Sequence, residues 1–111
     1  MSSKIYSVED IKNAILPIAQ KYHLKAVYIF GSYARGDATT TSDIDILVDT
    51  EGTEIRSLFD LGGLYSDLED ALRKPIDLVT VHSIMQPAHR KSDILFKKNV
   101  WEEKVSVYEA A

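Results

Sequence analysis

The stretch "AVYIFGSYARGDATTTSDIDILVD", Ala26 to Asp49, decides how this chain folds. "AVYIF", Ala26 to Phe30, is short, apolar and aromatic, which suits a buried strand. It runs directly into Gly31-Ser32. "SYARG" then fits a short helix ended by Gly36, and "DATTTS" is a polar loop. "IDILV", Ile44 to Val48, reads as a second strand. Successive strand residues point to opposite faces, so Asp43 and Asp45 share one side while Ile44 and Ile46 enter the core. The two aspartates are separated by about 7 Å at the backbone, close enough to converge on one ion or a pair. Carboxylates at strand positions are costly unless a positive partner sits against them. A metal ion is the expected partner.

Upstream, "IYSVEDIKNAILPIAQKYHL" has Ser7 followed by Asp10, a capping-box start, and Ile11, Ile15, Ile18 and Tyr22 at helical spacing. Pro17 falls inside this pattern and predicts a kink or a broken ladder near Asn13. Downstream, Leu58, Leu61, Leu64 (or Tyr65), Leu68 and Leu72 predict a long amphipathic helix from Glu54 to Leu72 that is mostly core. Gly62-Gly63 weakens its middle by about 1 kcal/mol per glycine. "PIDLVTV", Pro75 to Val81, is a third strand carrying Asp77. "SIMQPAHRKSDILFKKNVWEEK" reads as a loop into a last helix with Ile94, Leu95, Val100 and Trp101 as its apolar residues; "VSVY" is a small edge strand. The order predicts an α/β (α+β) fold, with a sheet of about four strands covered mainly on one face. If the third strand lies beside the second, Asp77 joins Asp43 and Asp45. Three such carboxylates repel unless divalent cations neutralise them, and hard oxygen ligands select Mg²⁺ or Mn²⁺.

The bulk composition sets the outer bounds. With 111 residues, 45% hydrophobic and 27% charged, the chain fits a single folded domain, residues 1–111, with one modest core. A net charge of −4 argues against direct, non-specific nucleic-acid binding, which relies on basic surface. The absence of cysteine removes disulfides and thiolate metal sites. No apolar run reaches membrane-spanning length, and "MSSKIYSVEDIK" lacks the apolar core of a signal peptide, so a cytoplasmic protein is expected. His23, His82 and His89 match no metal-ligand spacing, and "RK" at Arg73-Lys74 and "HRK" at His89 to Lys91 read as solvated. Tyr33 is balanced between packing and a nucleotide contact. Trp101 and Tyr108 read as core packing before partner surface.

A strand ending in Gly-Ser before a short helix presents backbone N–H groups and a hydroxyl to an anion. Metals beside a phosphate cradle point to a nucleoside triphosphate. "GSYARGDATTTSDIDILVD" followed by "PIDLV" resembles the polymerase-β-like nucleotidyltransferases, and most closely the minimal nucleotidyltransferases (MNT), antitoxin halves of HEPN/MNT toxin–antitoxin pairs. The resemblance covers nearly the whole chain. It implies the nucleotidyltransferase fold, with Gly31, Ser32 and Arg35 binding the nucleotide's phosphates. It also implies that Asp43, Asp45 and Asp77 hold two Mg²⁺ ions (or Mn²⁺) and carry catalysis, Asp77 on the nucleophile side as general base. ATP would be the substrate. Larger relatives add an acceptor-binding domain, so here a partner molecule or a second copy of the chain is expected to present the acceptor. The implied activity is protein adenylylation, in which a type VII-like antitoxin transfers AMP to a tyrosine of a HEPN ribonuclease toxin. The alternatives are a small-molecule enzyme of the aminoglycoside-modifying kind and a non-catalytic, toxin-binding antitoxin.

Overall fold

The structure, a computed structural model, describes residues 5–111; Met1 to Lys4, the first part of the stretch that lacks the apolar core of a signal peptide, lie outside the described residues. Helix α1 (Val8–Lys21) starts with the reciprocal capping box, Ser7 Oγ accepting from the Asp10 amide and Asp10 accepting from the Ser7 amide. Pro17 lies inside α1, and the helix nevertheless continues to Lys21, so the ladder loses the proline's bond without ending. Ile11, Ile15 and Ile18 bury one face.

Strand β1 (Ala26–Phe30) leads into α2 (Gly31–Arg35), which Gly36 closes in the left-handed conformation, φ 86°. Strand β2 (Ile44–Asp49) follows, then α3 (Leu58–Leu72), β3 (Ile76–Thr80), α4 (Val81–Met85), α5 (Lys91–Glu103) and β4 (Val105–Glu109). Helix α3 begins at Leu58, not at Glu54, because the Ser57 side chain caps it by accepting from the Asp60 amide. In consequence Leu58 lies in the first turn and is 88% exposed, and the buried stripe is Leu64, Leu68 and Leu72. The short α4 has no counterpart in the sequence reading, since five residues are too few to show a period.

The sheet has the order β3-β2-β1-β4. β1 pairs antiparallel with both β2 and β4, and β2 pairs parallel with β3 through the α3 crossover. A mixed four-stranded sheet with helices is the fold class expected. Its main core lies under α1 and α3, where Val27, Ile29, Ile44, Ile46, Val48 and Ile76 meet the helix stripes. Lys21 Nζ and Tyr22 Oη donate to Asp67 Oδ2 at 2.9 and 2.6 Å, tying α1 to α3 and holding the Asp67 carboxyl below its ordinary range. The opposite face carries a smaller cluster of Phe30, Leu47, Ile84 and Val100. Of the apolar residues expected in the last helix, Val100 is buried there, whereas Ile94, Leu95 and Trp101 are exposed.

Candidate active site

Alternation along the strands places the acids on the sheet face with the smaller core. Ile44 and Ile46 of β2 enter the main core, so Asp45 points away from it, as does Asp77 between Ile76 and Leu78. Asp45 and Asp77 are direct register partners in the parallel β2–β3 pair. Asp43 precedes β2 by one residue and shares the parity of Asp45. Asp45 and Asp77 therefore lie side by side near the N-terminal ends of two adjacent parallel strands, with Asp43 just ahead of β2.

Asp45 is half-buried, and its pKa is pushed up to about 6, first by burial and then by the charges of Asp77 and Asp43. Arg35 opposes this rise, and Glu103 adds to it. The same residue abuts the glycine turn. Phe30 at the end of β1 pairs with Asp45, and Gly31 follows with φ 68°. A Cβ at Gly31 would overlap the Asp45 carboxylate. Glycine is required here twice, for its backbone conformation and for the close approach of an acid.

Gly31, Ser32, Arg35 and Asp45 form one wall of a cleft of about 420 Å³; Phe96, Asn99 and Glu103 of α5 form the other. Arg35 donates from Nε to Asp37 and from Nη1 to Glu103, each at 3.2 Å, and these carboxylates raise its already high pKa, the Asp37 hydrogen bond most. Helix α2 has no side-chain cap at Phe30, which leaves its first amides without a side-chain acceptor. A larger cavity of about 510 Å³ lies at the far ends of β2 and β3, beside Asp49, Arg56, Thr80 and His82, and includes none of the three acids.

The α5 wall was not foreseen. Phe96, Asn99, Val100 and Glu103 recur at helical spacing on one face, and that periodicity is the signal the sequence offered. Tyr33 packs in the main core, and its buried hydroxyl has no hydrogen-bond partner among the described residues. Lys74, expected to be solvated, is 4% exposed, because its ammonium turns inward to backbone carbonyls.

The donor set suits a hard divalent cation: carboxylates from neighbouring strands, one of them with its ionised form disfavoured by burial and by the others. As they lie, no three acidic or histidine side chains among the described residues converge on a single point. Coordination by all three would need side-chain rotation, which the exposed Asp43 and Asp77 allow.

An acidic strand pair beside a glycine turn, on a mixed sheet with an open cleft, suits phosphoryl or nucleotidyl transfer. The family profile described as "polymerase beta, nucleotidyltransferase" matches residues 13–110. A Methanocaldococcus jannaschii protein with the provisional name protein adenylyltransferase is 47% identical over 78 residues, 70% of this chain and 82% of that one. A solved structure described as a minimal nucleotidyltransferase superposes with TM-score 0.66 at 29% identity, covering 90% of this chain and 95% of that chain. The MNT antitoxin solved with the tri-AMPylated HEPN toxin of Shewanella oneidensis shares the fold, with TM-score 0.63 at 23% identity, covering 93% of this chain and 73% of that chain. The chain belongs to the polymerase beta nucleotidyltransferase family. It is a nucleotidyltransferase, which brings with it a nucleotide substrate and, in this class generally, a divalent metal. No helix among the described residues is long and apolar enough to cross a membrane.

Proposed function

We propose that this chain acts as one nucleotidyltransferase domain that adenylylates a protein, in the role of an antitoxin that silences a HEPN-type ribonuclease toxin by transferring AMP from ATP to a tyrosine. The observation that carries the reading is the register pairing of Asp45 with Asp77, on the face where Gly31 brings its backbone against Asp45. Support for a protein acceptor comes from the relatives named protein adenylyltransferases and from the AMPylated toxin bound to the structural neighbour.

The triphosphate lies in the cleft with its phosphates against the Gly31 and Ser32 amides, the Ser32 hydroxyl and the Arg35 guanidinium. Two Mg²⁺ ions held by Asp43, Asp45 and Asp77 would neutralise the triphosphate and acidify the acceptor hydroxyl. The tyrosine oxygen forms a bond to the α-phosphorus, the bond from that phosphorus to the bridging α–β oxygen breaks, and pyrophosphate departs. Asp77 takes the phenolic proton. Fixing the acceptor in line with the breaking bond supplies most of the advantage over reaction in solution.

The test is to incubate the chain with Mg²⁺, α-labelled ATP and a HEPN-type toxin protein. Label on a toxin tyrosine, with a mass gain of one or more AMP groups and none from the Asp43→Asn/Asp45→Asn variant, is the expected result. Transfer to an aminoglycoside with no labelled protein would overturn the assignment of acceptor. Toxin binding and silencing with no transfer would leave the chain a scaffold.

A further inference from the structure

Lys74 is the one lysine buried in the fold among the described residues, and the catalytic scheme above does not use it. It follows Arg73, the C-cap of α3, which adopts the left-handed conformation (φ 54°) that turns the chain towards β3. Its Nζ donates to Thr40 O at 2.9 Å and to Ser42 O at 3.4 Å. No carboxylate pairs with it among the described residues, so an ammonium almost removed from water is held by two backbone carbonyls alone. Burying a charge on such terms is unfavourable unless the hydrogen bonds secure something.

They secure the loop that delivers Asp43. Residues 39–42 form a compact turn, Ser42 donating its amide to Thr39 O at 3.1 Å and accepting from the Thr39 amide at 2.8 Å through Oγ. Lys74 takes two carbonyls of that turn, and the next residue, Pro75, accepts the Ile44 amide at 3.2 Å. The backbone on both sides of Asp43 is thus fastened to the two residues that lead into β3, the strand of Asp77. Asp43 itself is exposed, without packing of its own to fix it.

We propose that Lys74 is a positioning residue for the acidic site, locking the 39–42 turn so that Asp43 stands in register with Asp45 and Asp77 for a divalent cation. The inference rests on the metal-binding role proposed for those aspartates. The methylene stem of methionine replaces the lysine stem without donating to either carbonyl, whereas arginine keeps the charge and the donors.

The test uses the full chain, Mn²⁺ as the probe with free ion counted by electron paramagnetic resonance, and amide hydrogen exchange. Lys74→Met is expected to melt cooperatively, bind Mn²⁺ about tenfold more weakly (about 1.4 kcal/mol) and exchange faster at residues 39–44, whereas Lys74→Arg should stay within about threefold of wild type. A Lys74→Met chain with wild-type Mn²⁺ affinity, alongside an Asp43→Asn chain with weakened affinity, would overturn this inference and leave the site reading intact. Wild-type affinity in Asp43→Asn would overturn the site reading, and this inference with it. Failure of Lys74→Met to fold would make Lys74 a stability residue and overturn the positioning role.

Discussion

Gly31→Ala separates the two reasons for glycine at the turn. At φ 68° an L-residue occupies the left-handed region, which costs about 1–2 kcal/mol. The new Cβ also overlaps the Asp45 carboxylate, whose Cγ would still stand at 3.1 Å. Swinging the carboxylate aside, off its preferred rotamer, adds about 0.5–1.5 kcal/mol. Alanine restricts the unfolded chain and returns about 0.4–1 kcal/mol. The net loss is therefore about 0.5–3 kcal/mol, a fall in melting temperature on the order of 10 °C for a domain of this size. The overlap is isolated by a double-mutant cycle. In an Asp45→Ala background only the backbone cost remains, so the cycle should show a coupling of about 0.5–1.5 kcal/mol. Thermal and urea melts of the four proteins measure it. A Gly31→Ala chain melting within about 2 °C of wild type would refute the conformational argument, and zero coupling would refute the close approach.

Asp45→Asn should stabilise the metal-free protein at pH 7.5 by about 1–2 kcal/mol after solvent screening and much less at pH 4, because a carboxyl raised to about 6 favours folding below its unfolded value and loses that stability as pH rises through 6. Melts of both proteins across pH 4–8 in EDTA check it; a difference independent of pH would contradict it. Asp77→Asn should keep the fold and most of its ATP affinity while transfer falls by at least about 10²-fold, the size of a lost general base, measured by label incorporation against calorimetric binding. Ser32→Ala should leave the melting temperature unchanged and weaken ATP about tenfold, about the worth of one charge-assisted hydrogen bond, by calorimetry.

The strands and the acidic pair were legible because their signals are local. "AVYIF" and "IDILV" are short apolar runs bounded by breakers, and strand parity fixes which side Asp45 takes. Asp77 needed one further condition, adjacency of β2 and β3, which a helical crossover between parallel strands meets. What local pattern could not supply was the partner across space. Leu58 satisfies the apolar period of α3 yet is exposed, since the cap at Ser57 makes it the first residue of the helix, beyond the core. Lys74 looks like any lysine after a helix; only the returning 39–42 turn gives its ammonium carbonyls to reach. Phe96, Asn99 and Glu103 face the glycine turn through a helix some sixty residues later, so their place in the cleft depends on how α5 docks.

Strand β1, whose end carries the glycine turn, is paired on one side by β2 and on the other by β4, with Ala26 opposite Glu109. On the ribosome, β2 emerges soon after β1, whereas residues 105–109 follow only after α3, β3 and α5. At about 5–20 residues per second that interval lasts several seconds. Throughout it the central strand keeps a bare row of amides and carbonyls, a template for any extended peptide nearby. The nascent enzyme is thus vulnerable to mispairing until residues 105–109 are made. The Ala110 amide, bonded to Lys25 O at 3.0 Å, extends the seal one residue past β4.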